Sequence, residues 1–412
     1  MTRVVITGFG VASPIGNDAE TFLESLKNGK NGLGPITRFD ATETGISVAG
    51  EITDFPLEKY FIKKDTKRMD LFSLYGIYAA LDAMAMAGLT KETIADPDRF
   101  GIMVSSGIGG LPTIEEQVIK MHEKGPKRVS PMFVPMSIVN MVAGNIALRV
   151  GAKGICTSTV TACASGTHSI GEAFRNIKHG YADVMLAGGS EASICEIGIA
   201  GFASLTALTS ESDVNKASVP FDSSRSGFVM GEGAGVLMLE SLEHAEKRGA
   251  KILGEMVGYG ANCDAYHMTA PTPDGSGAGK AMKLALGEAD ITPDAVGYIN
   301  AHGTSTPAND KAEAKAIHYA FGDAYKDVYV SSTKSMTGHL LGGAGGVEAV
   351  ATLLALNEQF VPPTINVTEQ DPEIDLNVVK NAAIAADLTY GMSNSLGFGG
   401  HNAVILMKRW ED

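Results

Sequence analysis

Cysteine is scarce: four residues, Cys156, Cys163, Cys195 and Cys263, in a chain of 412. They form no C-x-x-C pair and have no histidine ladder beside them, which argues against a zinc site or a disulfide framework and fits reduced thiols. No apolar run is long enough to span a bilayer, and Met1-Thr2-Arg3-Val4-Val5-Ile6-Thr7 enters a strand pattern at once. With no signal peptide or membrane anchor visible, a cytoplasmic protein is expected. Basic residues are outnumbered, 33 against 47 acidic ones, for a formal net charge of -14. Phosphate repels such a surface, so nucleic acid is not expected as the main partner. Gly8-Phe9-Gly10 follows a strand pattern but lacks the third glycine of a dinucleotide loop: Ser13 stands in its place, and Pro14-Ile15-Gly16 delays the helix.

With 44% hydrophobic residues the chain has enough apolar side chains for one large core or two fused ones. Its 49 glycines are scattered through patterned segments, as tight turns and close backbone contacts require. The first half reads as a strand over Arg3–Gly10, a helix over Asp70–Ala87, a strand over Arg99–Ser106 and another over Ala182–Ala187. Ala200–Asp222 lacks clear periodicity and reads as a long loop region; Val236–Glu240 is a further strand. The second half repeats this outline. Strands are predicted over Ile252–Gly260, Val296–Asn300 and Val328–Ser331, and helices over Gly277–Ala289, Lys311–Phe321 and Gly345–Asn357. The repeat is clearest where Gly231–Glu240 parallels Gly397–Leu406. Two copies of one α/β unit, residues 1–250 and 251–412, are therefore expected. The helix after Cys163 and its counterpart Gly345–Asn357 would form the buried middle layer.

Cys163 sits where a β-branched run, Ile155 to Val160, meets a helical pattern carried by Ile170, Ala173, Phe174 and Ile177. A thiol there faces the unpaired N–H groups and positive dipole end of the helix, which predicts a thiolate. Small neighbours, Ala162, Ala164, Ser165 and Gly166, let a substrate approach the sulfur. Two histidines lie in hydroxyl-rich turns at strand ends, His302 in Asn300-Ala301-His302-Gly303-Thr304 and His339 in Lys334-Ser335-Met336-Thr337-Gly338-His339. In such sheets, reacting groups gather at the carboxyl ends of the strands. Cys163, His302 and His339 are thus expected to converge, with Lys334 close by.

Thr161-Ala162-Cys163-Ala164-Ser165-Gly166, Asn300 to Thr306, Ser332 to His339, and Gly397-Phe398-Gly399-Gly400-His401-Asn402 occur in this order along the chain. Together they resemble the motifs of the β-ketoacyl-acyl carrier protein synthases, condensing enzymes with a Cys-His-His site. The resemblance covers essentially the whole sequence. It implies a thiolase-like fold, duplicated βαβαβ units layered α/β/α/β/α, normally a homodimer, and no redox or metal cofactor. It implies that Cys163 takes an acyl chain from phosphopantetheine, that the Cys163 and Phe398 N–H groups hold the oxyanion, and that His302 and His339 stabilise the enolate left when malonyl-carrier loses CO2.

By the same resemblance Lys334 supports the histidines through carboxylates, with Asp310 and Glu313 at the matching positions. Thr304 and Thr306 contact the pantetheine arm, and Phe202 and Gly399 belong to the substrate pocket. Ile108, bulky where type I relatives tend to have glycine, points to the long-chain type II enzymes. Acyl carrier proteins are acidic, so the basic runs Lys63, Lys64, Lys67, Arg68 and Lys127, Arg128 are expected to dock one; otherwise they are solvated faces. A monovalent cation near Asn300, Glu348, Ser393 and Asn394, as relatives often show, is a further expectation. Three alternatives stand beside this reading: a stand-alone polyketide ketosynthase, a non-catalytic chain-length subunit, which should have lost its nucleophile, and a thiolase, which would need a second cysteine that Cys263 is poorly placed to supply.

Overall fold

The computed structural model describes residues 1–411. A ten-stranded sheet forms its frame. In chain order the strands are β1 (Val4–Ala12), β2 (Phe100–Ser105), β3 (Cys156–Thr157), β4 (Val184–Glu191), β5 (Gly233–Ser241), β6 (Gly254–Cys263), β7 (Val296–Asn300), β8 (Tyr329–Ser331), β9 (Tyr390–Gly397) and β10 (His401–Arg409). Spatially they run β8-β7-β9-β10-β6-β1-β5-β4-β2-β3. Numbered within its own half, each set of five has the order 3-2-4-5-1, and the two sets meet where β1 pairs antiparallel with β6. The parallel between Gly231–Glu240 and Gly397–Leu406 corresponds to β5 and β10, the fifth strand of each half.

Alternation along the strands explains the layering. In β5, Ala234, Val236 and Met238 join one apolar cluster while Leu237 and Leu239 join another; in β10, Val404 and Leu406 part in the same way from Ile405 and Met407. Successive side chains point to opposite faces, and both faces of each half-sheet are covered, so the strands read as near-continuous apolar runs. Helices α1 (Leu71–Met86) and α2 (Met141–Val150) cover the outer face of the first half, and α4 (Ser276–Ala289) and α5 (Pro307–Phe321) that of the second. Between the halves lie α3 (Ser165–Lys178) and α6 (Ala344–Glu358). Residues Ala344 to Leu356 of α6 are all buried, as expected of a helix walled by protein on every side.

Two local readings change. The run before Cys163 is strand only at Cys156–Thr157, at the sheet edge. The segment expected to be loop from Ala200 starts as helix, Glu196–Ser204, whose apolar residues pack beside the Cys163 cluster and show no clean period.

Candidate active site

Cys163 lies in a single helical turn, Ala162–Ala164, immediately before α3. Ala162 holds φ 52, in the left-handed region, where a side chain no larger than a methyl limits the strain. The elbow is packed by glycines. A Cβ on Gly166 would meet the Gly342 carbonyl oxygen at 2.9 Å, and one on Gly397 would meet the Thr161 carbonyl oxygen at 2.6 Å. The close approach of β9 brings the backbone N–H of Phe398 to the Cys163 sulfur, beside the N–H of Cys163 itself.

His302 follows β7. Its N–H and that of Gly303 donate to the two carboxylate oxygens of buried Glu313, each at 2.8 Å, and Ser332 Oγ donates to the Gly303 carbonyl at 2.6 Å. His339 is pinned differently: its N–H donates to the Val229 carbonyl at 2.7 Å and its carbonyl accepts from Gly231 N–H at 2.9 Å. The two imidazoles stand edge to face, ring centroids 5.2 Å apart. Among the described residues, His302 Nδ1 and both ring nitrogens of His339 are buried without a protein partner. Unpaired buried donors and acceptors are costly, and their presence here marks where a substrate's polar atom belongs.

Cys163, His302 and His339 line one cavity of about 450 Å³, together with Phe202, Thr304, Thr306 and Phe398. The Thr304 and Thr306 hydroxyls are 2.9 Å apart on its wall. Ile108 packs with the apolar cluster that contains Cys163 and Phe202. Gly399 does not line the cavity; its N–H donates to the Met268 carbonyl at 2.6 Å. Phe228, which the sequence reading did not single out, does line it, with its ring 5.2 Å from that of His339. No periodicity or motif around Phe228 marks it. Cys263 is exposed, its sulfur directed at the Gly399 carbonyl, and it is not among the lining residues.

Electrostatics revise one expectation. Burial pushes the Cys163 thiol up to about 12, opposed by the Lys334 ammonium and by the Phe398 and Cys163 N–H groups and reinforced by Glu191. Desolvation therefore outweighs the helix N-terminus, and the resting group is a thiol rather than the predicted thiolate. Burial likewise holds both histidines well below their ordinary value, with the Lys334 cation acting in the same direction, so they are neutral.

Lys334 is buried, not a surface cation, and pairs with Glu348. Glu313 serves the His302 turn, while Asp310 faces away: it accepts from Phe221 N–H at 3.0 Å and stands 3.4 Å from Arg225 Nε. The expected lysine partners are thus divided. Among the described residues, the Asn300 amide, Glu348 Oε2, Ser393 Oγ and Asn394 Oδ1 are buried without protein partners, a donor set that fits a monovalent cation. Among the described residues no group of three His, Cys, Asp or Glu side chains forms a metal site.

Comparison with known proteins agrees with this geometry. Residues 1–245 match the N-terminal domain of beta-ketoacyl synthase and residues 253–368 its C-terminal domain. The chain is 52% identical over 410 residues to 3-oxoacyl-[acyl-carrier-protein] synthase 2 of Staphylococcus aureus (strain COL), covering 99% of each chain. It is 50% identical over 410 residues to the protein of that name in Synechocystis sp., covering 99% of this chain and 98% of the other. Among solved structures, a beta-ketoacyl synthase from Burkholderia phymatum matches with a TM-score of 0.93 and 36% identity over 100% of both chains. A type II PKS ketosynthase in complex with its acyl-carrier protein matches with a TM-score of 0.92 and 34% identity, again over 100% of both. The fold is thus the thiolase-like one of the ketosynthases, and this chain belongs to the beta-ketoacyl synthase family.

Proposed function

We propose that the protein condenses an acyl chain with malonyl-acyl carrier protein, releasing CO2 and lengthening a fatty acid by two carbons. One observation carries the reading: one thiol, two neutral imidazoles and two N–H groups at the sulfur share a single cavity.

Cys163 Sγ attacks the acyl thioester, and the new oxyanion is met by the N–H groups of Cys163 and Phe398. Collapse expels the pantetheine sulfur, which leaves carrying the proton that the cysteine gives up, so no standing thiolate is needed. Malonyl-carrier then enters, with its arm against the Thr304 and Thr306 hydroxyls. As the C–C bond to the carboxylate breaks, CO2 leaves and negative charge moves onto the thioester oxygen, where His302 and His339 donate hydrogen bonds. Neutral imidazole suits this role because it donates N–H without requiring a buried cation. The enolate carbon attacks acyl-Cys163; the tetrahedral adduct collapses, Cys163 departs as thiolate and takes a proton from solvent, the one proton the overall reaction consumes. Phe398, on a turn between glycines, gates the second substrate: its ring swings aside for malonyl-carrier, and Phe398→Ala should change the ratio of acyl transfer to condensation.

The carrier docks on Lys63, Lys64, Lys67, Arg68, Lys127 and Arg128, all exposed, and among the described residues none pairs with a carboxylate. Two copies of the chain join through β3, an edge strand flanked by exposed Ile155 and Val160. Residues 1–250 and 251–412 act as the two domains, in keeping with the repeated strand order. A monovalent cation at Asn300, Glu348, Ser393 and Asn394 would take up Glu348 Oε2, the carboxylate oxygen that Lys334 leaves free. Among the described residues no helix is long and apolar enough to cross a membrane. A polyketide ketosynthase would share these residues, but the likeness is greater to the 3-oxoacyl synthases, 52% against 34%.

The test is to incubate the protein with acyl-carriers of graded chain length and locate any adduct by mass, then add malonyl-carrier. An acyl group on Cys163, followed by a product two carbons longer, is expected. No adduct, or one on another residue, would overturn the reading.

A further inference from the structure

Glu191, the last residue of β4, is fully buried, and its carboxylate takes four donors from three separate segments. Oε2 accepts from Gly107 N–H at 2.8 Å and from Gly342 N–H at 3.1 Å. Oε1 accepts from the Ser106 hydroxyl at 2.7 Å and the Ser193 hydroxyl at 3.1 Å. Ser106 Oγ in turn accepts from Gly109 N–H at 2.8 Å. Through Oε2 directly, and through Oε1 by way of Ser106, the carboxylate therefore fixes both ends of Gly107-Ile108-Gly109, the turn that presents Ile108 to the Cys163 cluster. Oε2, the oxygen that holds Gly107, also fixes Gly342, three residues beyond His339. No backbone hydrogen bond joins these two turns directly among the described residues.

We infer that Glu191 is a positioning residue, coupling the turn that meets the acyl chain to the turn that follows His339 and thereby setting which chain lengths the enzyme accepts. The inference rests on the condensing reading of the site. A long acyl chain displaces Ile108, and the strain passes through Ser106, Gly107 and the shared carboxylate to Gly342; a short chain leaves the turn alone. A merely structural glutamate would stabilise the protein without discriminating between chains.

Glu191→Gln keeps the shape but offers one acceptor oxygen instead of two, so the four donors cannot all be satisfied as before. Glu191→Ala leaves Gly107 and Gly342 N–H groups without partners and is the variant at risk of misfolding. Ser106→Ala removes the hydroxyl link alone and keeps the carboxylate. The experiment measures acylation of Cys163 from short-chain and long-chain acyl-carriers, and then condensation, in wild type, Glu191→Gln and Ser106→Ala, with melting temperature recorded beside each.

Hydrogen bonds to a buried charge are strong enough that the long-to-short ratio of kcat/KM should shift on the order of tenfold in Glu191→Gln, and in the same direction by less in Ser106→Ala. An unchanged ratio in both variants, whether or not the melting temperature drops, would overturn the coupling role. Failure of the wild type to acylate Cys163 would instead overturn the reading of the site, so the two failures are told apart.

Discussion

The two halves place the same turns around the same cavity and load them differently. Each has a left-handed residue that starts a single helical turn before its central helix: Ala162 at φ 52 before Cys163 and α3, Leu341 at φ 48 before Gly342 and α6. The second elbow thus carries Gly342 where the first carries Cys163. Each half also gives a buried glutamate to the N–H groups of the turn after its second strand, Glu191 to Gly107 and Glu313 to His302 and Gly303. In the first half that turn carries the apolar Ile108; in the second it carries an imidazole. The scaffold is repeated while the proposed covalent chemistry and charge stabilisation fall to opposite copies, and glycine in the second elbow lets it close on the Ser106-Gly107 turn, whose backbone a Cβ on Gly342 would strike. That division is what mutants should separate.

Cys163→Ala should break the first half-reaction and leave the second. Acyl adduct and condensation should fall on the order of 10^4-fold or more, as when a nucleophile is deleted. Release of CO2 from malonyl-carrier, which needs only the second half, should survive and be measurable with labelled malonyl. Equal loss of both activities would show that the halves do not divide the work. His302→Ala and His339→Ala are the converse: condensation should drop about 10^2- to 10^3-fold, the scale of losing one oxyanion donor, while the Cys163 adduct still forms and is seen by mass.

The titrating groups sharpen the same division. Because burial raises the Cys163 thiol, its thiolate fraction at neutral pH is small and grows as pH rises towards about 12. Alkylation by iodoacetamide should therefore climb about tenfold per pH unit through the alkaline range, with no plateau near the value of a free thiol. The histidines move in the opposite sense: held well below the ordinary 6.5, they stay neutral as pH falls through that value. Condensation should show no histidine titration between about pH 6 and 8. A fall with a midpoint near the free imidazole value would mean that the imidazoles are not desolvated as described.

Much of this division was legible in the sequence, and the parts that were not share a cause. Cys163, His302 and His339 stand in local motifs of small and hydroxyl residues, so strand-end turns could be read around them one by one. The repeat was legible because β5 and β10 are apolar on both faces and therefore keep similar residues. Partnerships across the fold were not legible. Lys334 meets Glu348 and Asp310 meets Arg225, pairs separated in sequence that only the packing of α6 and α5 brings together. Phe228 escaped for the same reason. The thiol state of Cys163 is not legible because a helix end is visible in sequence whereas the depth at which the sulfur lies is not, and desolvation is the larger effect.

Smaller effects test the entrance and the acyl pocket. Ile108→Phe adds volume to a packed cluster, and overpacking of this kind costs enough to slow long-chain acylation about tenfold or more while short chains are spared. Equal turnover of all lengths would remove Ile108 from the pocket wall. The weakest expected effect belongs to the surface. Lys64 and Lys67 are exposed, so each contributes through a screened field and not through a fixed bond. Reversing both, Lys64→Glu with Lys67→Glu, should raise KM for carrier-bound substrates about threefold to tenfold at low salt, leave kcat alone, and lose most of its effect at high salt. A free pantetheine thioester, which has no acidic carrier, should be handled as by wild type. If the carrier and the free thioester respond alike, the charges act on the fold and not on docking, and the basic face returns to being ordinary solvated surface.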